Sequence, residues 1–180
     1  LTSEVLSSVQ TQIFSAARGC AEQGETMKLE ERIMDMIRED GCPVDVVEHE
    51  PVYTNPVMAE VLGVAESETV KSLVVKTKEG DLAVVVLPGD GRIDWKRTAR
   101  AIGTKKVSMA KPEEVAGKVG CEVGCVPPFG HLESLPVIMD PELTTQTQVY
   151  FNPGVHHKSC RIQARDLIKL CNPTFLDQND

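Results

Sequence analysis

The stretch 70-VKSLVVKTK-78, the turn 79-EGD-81 and the run 82-LAVVVLP-88 decide the architecture. Both arms carry valine and leucine on both faces, and three turn residues separate them. The pattern therefore predicts a β-hairpin in the middle of a sheet, where both faces are covered.

Working outward toward the N-terminus, 44-VDVVEH reads as a strand. Before it, Leu29, Ile33 and Ile37 share one face of a helix over about Met27 to Asp40, which Gly41 stops. Between that strand and the hairpin, Asn55 as cap, Pro56 in the first turn and Gly63 after the last residue mark a short helix over 56–62.

Toward the C-terminus, Asp94 caps a helix from Trp95 to Ile102 that ends at Gly103, and 106-KVSMA is a short strand. Pro112 opens a further helix ending before Gly120. Strands at 136-PVIMD, 147-TQVYFN and 159-SCRIQ follow, with a turn at 153-PG and a last helix at 164-ARDLIKLC. Strands and helices do not alternate strictly, so the expected class is α/β of the α+β kind, a mixed sheet flanked by helices. Residues 1–26 stand apart: Val5, Val9 and Ile13 behind Ser3 predict a short amphipathic extension, leaving 27–180 as one domain.

Composition agrees with a single aliphatic core, because 180 residues suffice for one domain and aromatic residues make up only 4%. No apolar run reaches membrane-spanning length and the N-terminus carries no secretory pattern, so the expectation is a soluble cytoplasmic protein. Six cysteines at uneven spacing read as reduced thiols. The net charge of −8 argues against coating nucleic acid by bulk electrostatics, but residues 92–118 hold eight basic and three acidic side chains. That local +5 suits either docking a polyanion at one place or a solvated helix face.

Lys71 ends an apolar face that continues through Leu73, Val75 and Thr77. Its ammonium either snorkels to water or stands at the mouth of a pocket, as a point charge for a phosphate or ester oxygen. The cysteines of 120-GCEVGCVPPFGH-131, with His156, His157 and Cys160 of 156-HHKSC-160, supply zinc-type ligands, yet the second half matches no familiar ligand pair. No metal and no cofactor are expected. Nucleophile elbows, Walker motifs and the His-Glu-x-x-His zinc signature do not occur, 89-GDGR lacks the context of a phosphate loop, and a thiol activated by His131 or His156 has no local signature.

The stretches 49-HEPVYT, 70-VKSLVVK, 88-PGDGRIDWKRTARAIGTKKVSMAKPEEV, 120-GCEVGCVPPFGH, 135-LPVIMD, 149-VYFNPGVH and 164-ARDLIKL together resemble the YbaK and prolyl-tRNA editing domain family. The resemblance implies a trans-acting deacylase that hydrolyses the ester of a mischarged tRNA, with tRNA(Pro) carrying a small amino acid such as cysteine or alanine as substrate. It implies that Lys71 is the essential lysine holding the tRNA end. Gly124, Pro127, Pro128 and Gly130 would wall the aminoacyl site, Asn152 and Gly154 would close its other side, and His131 and His156 would orient a water or the ribose hydroxyls. Lys96, Arg97, Arg100, Lys105 and Lys106 would face the acceptor stem. The implied partners are the acceptor end of mischarged tRNA and prolyl-tRNA synthetase, with neither membrane nor DNA. Members acting on cysteinyl-tRNA often carry serine where this chain has Pro127, which lacks both hydroxyl and amide hydrogen. The alternative is a non-catalytic module of the same fold that binds tRNA or a synthetase.

Overall fold

The computed structural model describes residues 28–177. In chain order the first elements are α1 (Leu29–Glu39), β1 (Val44–Glu48), α2 (Asn55–Leu62), a 3-10 turn at Glu66–Glu68, β2 (Val70–Thr77) and β3 (Leu82–Pro88). Then come α3 (Trp95–Ile102), β4 (Val107–Met109), α4 (Pro112–Lys118), β5 (Val137–Met139) and a second 3-10 turn at Pro141–Thr145. β6 (Gln148–Phe151), β7 (Lys158–Gln163), α5 (Ala164–Cys171) and β8 (Thr174–Phe175) complete the fold. The amphipathic helix expected in the first 26 residues lies outside the described residues.

The hairpin forms as read, with Val70 opposite Pro88 and Lys76 opposite Leu82. It sits inside a five-stranded sheet of order β4-β2-β3-β5-β8, antiparallel on the β4 side and parallel from β3 to β8. Every residue of β3 is buried, because the strand is covered on both faces. Val84 and Val86 join one core with Ile33 and Ile37 of α1, Phe151 of β6 and Leu167 of α5. Ala83, Val85 and Leu87, one residue out of phase, join the other core with Ala99 and Ile102 of α3. The two-residue period of a strand thus explains why this segment is apolar without interruption.

A second sheet, antiparallel β1-β7-β6, packs beside the first, and an isolated parallel bridge between Thr69 and Tyr150 joins the two. The one mixed sheet of the sequence reading is thus two sheets. β8 also escaped that reading: it is two residues long, and β5 is its one strand partner among the described residues. No helix among the described residues is long and apolar enough to cross a membrane.

One cap differs from expectation. The backbone N-cap of α2 is Thr54, and Asn55 lies one residue inside the helix. The Asn55 amide is drawn instead to the start of β2, donating to Thr69 Oγ1 (2.9 Å) and to the Val70 carbonyl (3.2 Å). Asp94 caps α3 as expected, accepting from the backbone amides of Lys96 and Arg97. Those amide hydrogen bonds, Arg97 first, hold its carboxyl below the ordinary aspartate value.

Candidate active site

The strand that carries Lys71 is only half covered along one edge. β4 pairs with β2 from Val75 to Thr77, and the last rung is the Ala110 amide donating to the Val74 carbonyl (2.9 Å). Beyond that point the edge of β2 from Val70 to Leu73 borders a cavity of about 480 Å³. The segment 53–56 at the start of α2 forms one wall, and Val123, Gly124 and Asn152 form another. Val70, Val74, Val115 and Val126 give it an apolar floor.

Polar groups converge on that floor. Lys71 lines the cavity, is half-buried, and makes no hydrogen bond or ion pair with the described residues. Lys76, on the same strand, is instead tied to Glu114 at 2.6 Å, and this hydrogen bond is the main reason the Glu114 carboxyl is held below its ordinary value. The charge on Lys71 is therefore open to a ligand in a way that the charge on Lys76 is not.

Ser72 and Asn152 add neutral groups in the same condition. Among the described residues, five buried side-chain atoms have no hydrogen-bond partner: Arg32 Nε, Ser72 Oγ, Thr98 Oγ1, Asn152 Oδ1 and His156 Nε2. Two of the five belong to the cavity lining, and such atoms each cost about 1–3 kcal/mol unless a ligand or water meets them. Asn152 is 9% exposed, and its amide nitrogen donates to the Gly124 carbonyl at 3.5 Å, which leaves Oδ1 as a free acceptor. The edge itself offers more. Val70 and Val74 direct their carbonyls away from β3, to Asn55 and Ala110, so Ser72 midway between them presents its N–H and C=O along the same edge.

The loop 120–131 contributes less surface and more support than its composition suggests. Gly124 reaches the cavity and adopts φ +98°, a conformation that disfavours a side chain. Pro127 and Pro128 are buried behind the wall, where their carbonyls accept from His131 Nε2–H (2.8 Å) and Cys171 Sγ–H (3.6 Å). Gly130 and Gly154 lie against α1: a Cβ would come within 2.9 Å of Ile33 Cγ1 at the first and of Leu29 Cδ2 at the second. Those two glycines let the loops close onto the helix.

The two histidines have different surroundings. His131 is 4% exposed and does not line the cavity; burial pushes its pKa down to about 4, against the opposing effect of the Pro127 hydrogen bond. His156 donates from Nδ1 to the Val52 carbonyl (3.0 Å), stacks on Tyr53 with centroids 4.3 Å apart, and backs Gly124. Its Nε2 lies 3.5 Å from Glu122 Oε2 and has no hydrogen-bond partner.

The buried His131 carries a pH dependence. Between pH 6.5 and about 4 the unfolded chain takes up a proton that the folded chain refuses. Stability contributed above pH 6.5 is lost as pH falls through that window, by on the order of 3 kcal/mol. Denaturant unfolding at pH 4 to 7 is expected to show this slope in the wild type and a shallower one in His131→Gln. Equal slopes would remove His131 as its source.

The zinc arrangement suggested by 121-CEVGC-125 and 156-HHKSC-160 is not assembled. Among the described residues no group of three or more His, Cys, Asp or Glu side chains is placed to hold a metal ion, and Cys160 is fully buried with Sγ 4.0 Å from Met34 Sδ. Cys125 points at the Glu122 and Gly154 carbonyls, each at 3.4 Å, and its thiol is pulled below the ordinary cysteine value by a hydrogen bond from Cys121. Neither thiol lines the cavity.

The basic segment divides. Lys96, Lys105 and Lys106 surround a second depression of about 490 Å³ beside Trp95. Arg97 turns the other way and donates to the Asp177 carbonyl, and Arg100 is exposed on the same helix. Of the residues singled out in the sequence, the fold brings Lys71, Gly124 and Asn152 to one cavity, with His156 just behind it. Sequence reasoning did not flag Tyr53 or Ser72, which also line it. Asn55 it read only as a cap, and Gly89 only as a failed phosphate loop.

The sequence profile described as the aminoacyl-tRNA editing domain matches residues 49–170. The multifunctional Ser/Thr-tRNA deacylase ProXp-y of Escherichia coli K12 is 28% identical over 151 residues, covering 82% of this chain and 90% of that protein. A candidate Cys-tRNA(Pro)/Cys-tRNA(Cys) deacylase of Enterococcus faecalis is 25% identical over 120 residues, covering 67% of this chain and 73% of that one. Among solved structures, a candidate trans-editing enzyme for prolyl-tRNA synthetase superposes with a TM-score of 0.75 at 26% identity, covering 87% of this chain and 99% of the other. A profile match over more than half of the chain, joined to an α/β architecture shared with that solved structure, makes this protein a member of the aminoacyl-tRNA editing domain family, of the YbaK type.

Proposed function

We propose that this protein is a trans-acting aminoacyl-tRNA deacylase that hydrolyses the ester between a mischarged small amino acid and the terminal ribose of tRNA(Pro), in the cytoplasm and in support of prolyl-tRNA synthetase. The observation that carries the reading is Lys71, an unpartnered ammonium in the wall of an open cavity that also holds the unpaired Ser72 Oγ and Asn152 Oδ1.

The chemistry asks little of the protein. An aminoacyl ester is already activated, so placing the reactants and stabilising the developing oxyanion suffice. In this reading a water oxygen attacks the ester carbonyl carbon, the bond from that carbon to the ribose oxygen breaks, and a proton from the water ends on the ribose oxygen. Free amino acid and a tRNA with its hydroxyl restored leave. Lys71 holds the terminal phosphate or the ester oxygen. Asn152 Oδ1, acceptor only, takes the substrate ammonium. The apolar floor takes a short side chain.

The test is release of amino acid from tRNA(Pro) charged in turn with alanine, cysteine, serine and threonine. Wild type is expected to release at least one of them far faster than Lys71→Ala does; equal rates across the panel would overturn the reading. An adaptor of the same fold would have no need of an open cavity lined by an unpartnered lysine, and this favours the catalytic reading.

A further inference from the structure

The second depression joins an exposed aromatic ring, an exposed thioether and three lysines. Trp95 is 44% exposed at the first turn of α3, and Met109, at the end of β4, is 45% exposed. Lys96, Lys105 and Lys106 surround them, and the three ammonium groups make no ion pair with the described residues. The nearest acid in sequence, Asp94, is engaged by backbone amides. An apolar aromatic floor within unpaired positive charge is what unpaired nucleotides bind, stacking a base on the ring and setting phosphates against the cations.

Met109 also lines the cavity that holds Lys71, so the two depressions meet at the end of β4. We infer that Trp95 is a stacking platform for an unpaired nucleotide just before the terminal one of a tRNA 3′ end, with Lys96, Lys105 and Lys106 on its phosphates. The naming of the occupant rests on the deacylase reading. The recognition itself is read without hydrolysis, so the two can fail separately.

Trp95 is the one tryptophan of the chain, so its fluorescence reports this site alone. The probes are an uncharged hairpin RNA with an unpaired 3′ ACCA end and the same hairpin made blunt. The overhanging hairpin is expected to quench Trp95, with affinity falling as salt rises, and the blunt one to leave it unchanged. In a filter-binding assay Trp95→Ala is expected to weaken overhang binding about tenfold, and Trp95→Phe, which keeps a ring face, to retain most of it. A thermal melt of each variant separates lost stacking from lost folding.

Equal quenching by both hairpins, no quenching by either, or equal quenching by an acidic peptide would overturn the inference. So would a wild type that hydrolyses misacylated tRNA while Trp95→Ala leaves KM unchanged, and that result would spare the deacylase reading. Overhang-specific quenching by a protein that hydrolyses none of the charged tRNAs would keep the site and discard the chemistry.

Discussion

Lys71→Met is expected to lower kcat/KM for deacylation by about 10²- to 10³-fold, the usual loss when one group that stabilises developing charge is removed. Its cost in stability is expected to stay below about 0.5 kcal/mol. The contrast follows from the environment. Lys71 has no partner among the described residues, so its removal strands no buried carboxylate, and methionine keeps an apolar stem beside Leu73. If the ammonium grips the terminal phosphate equally in ground and transition state, the loss falls on KM; if it meets the oxyanion, it falls on kcat. Steady-state kinetics on a charged tRNA, with a thermal melt alongside, read both. Activity within a few-fold of wild type would remove Lys71 from the mechanism.

The second large effect is on the scaffold. A Cβ on residue 89 would fall 2.0 Å from Thr69 Oγ1, 2.4 Å from the Glu66 carbonyl oxygen and 3.1 Å from Asn55 Nδ2. None of these can easily yield. Thr69 is fully buried, and its hydroxyl donates to that same Glu66 carbonyl (2.7 Å) while accepting from Asn55. Gly89→Ala is therefore expected to cost about 3 kcal/mol by overpacking and hydrogen-bond loss, which lowers the melting temperature by about 10 °C for a domain of this size. Because Gly89 and Asn55 both line the cavity, deacylation should fall even in the cold, where the variant remains folded. A melting temperature within a degree of wild type would show that the crowding relaxes without cost.

Most elements were legible because their signals are local. The apolar run 82–88, the Asp94 cap and the Pro112 helix start each depend on residues within one or two turns. Asn55 shows where local logic stops: it looks like a cap, but a partner fourteen residues away takes its side chain. β8 was illegible for a similar reason, since only β5, some 36 positions earlier, makes two residues a strand.

The site divides along the same line. Lys71 was visible because a cation interrupts an apolar face. Ser72 was not, because its neighbours Val70 and Val74 assign it to a core face, and only the early end of β4 opens that edge to the cavity. The basic segment looked like one patch in sequence. Adjacent helical positions differ by about 100°, so Lys96 faces the Trp95 depression while Arg97 is drawn to the Asp177 carbonyl.

By itself, then, the sequence determined the hairpin, the helices and the lysine that marks the cavity, since periodicity, caps and an out-of-place charge are written into neighbouring residues. Tertiary structure alone decided that two sheets form and that the loop 120–131 presents Gly124 while its prolines and His131 stay buried. It alone also brought the unpaired Ser72 Oγ and Asn152 Oδ1 to Lys71, because such groupings join residues up to 81 positions apart and are set by packing.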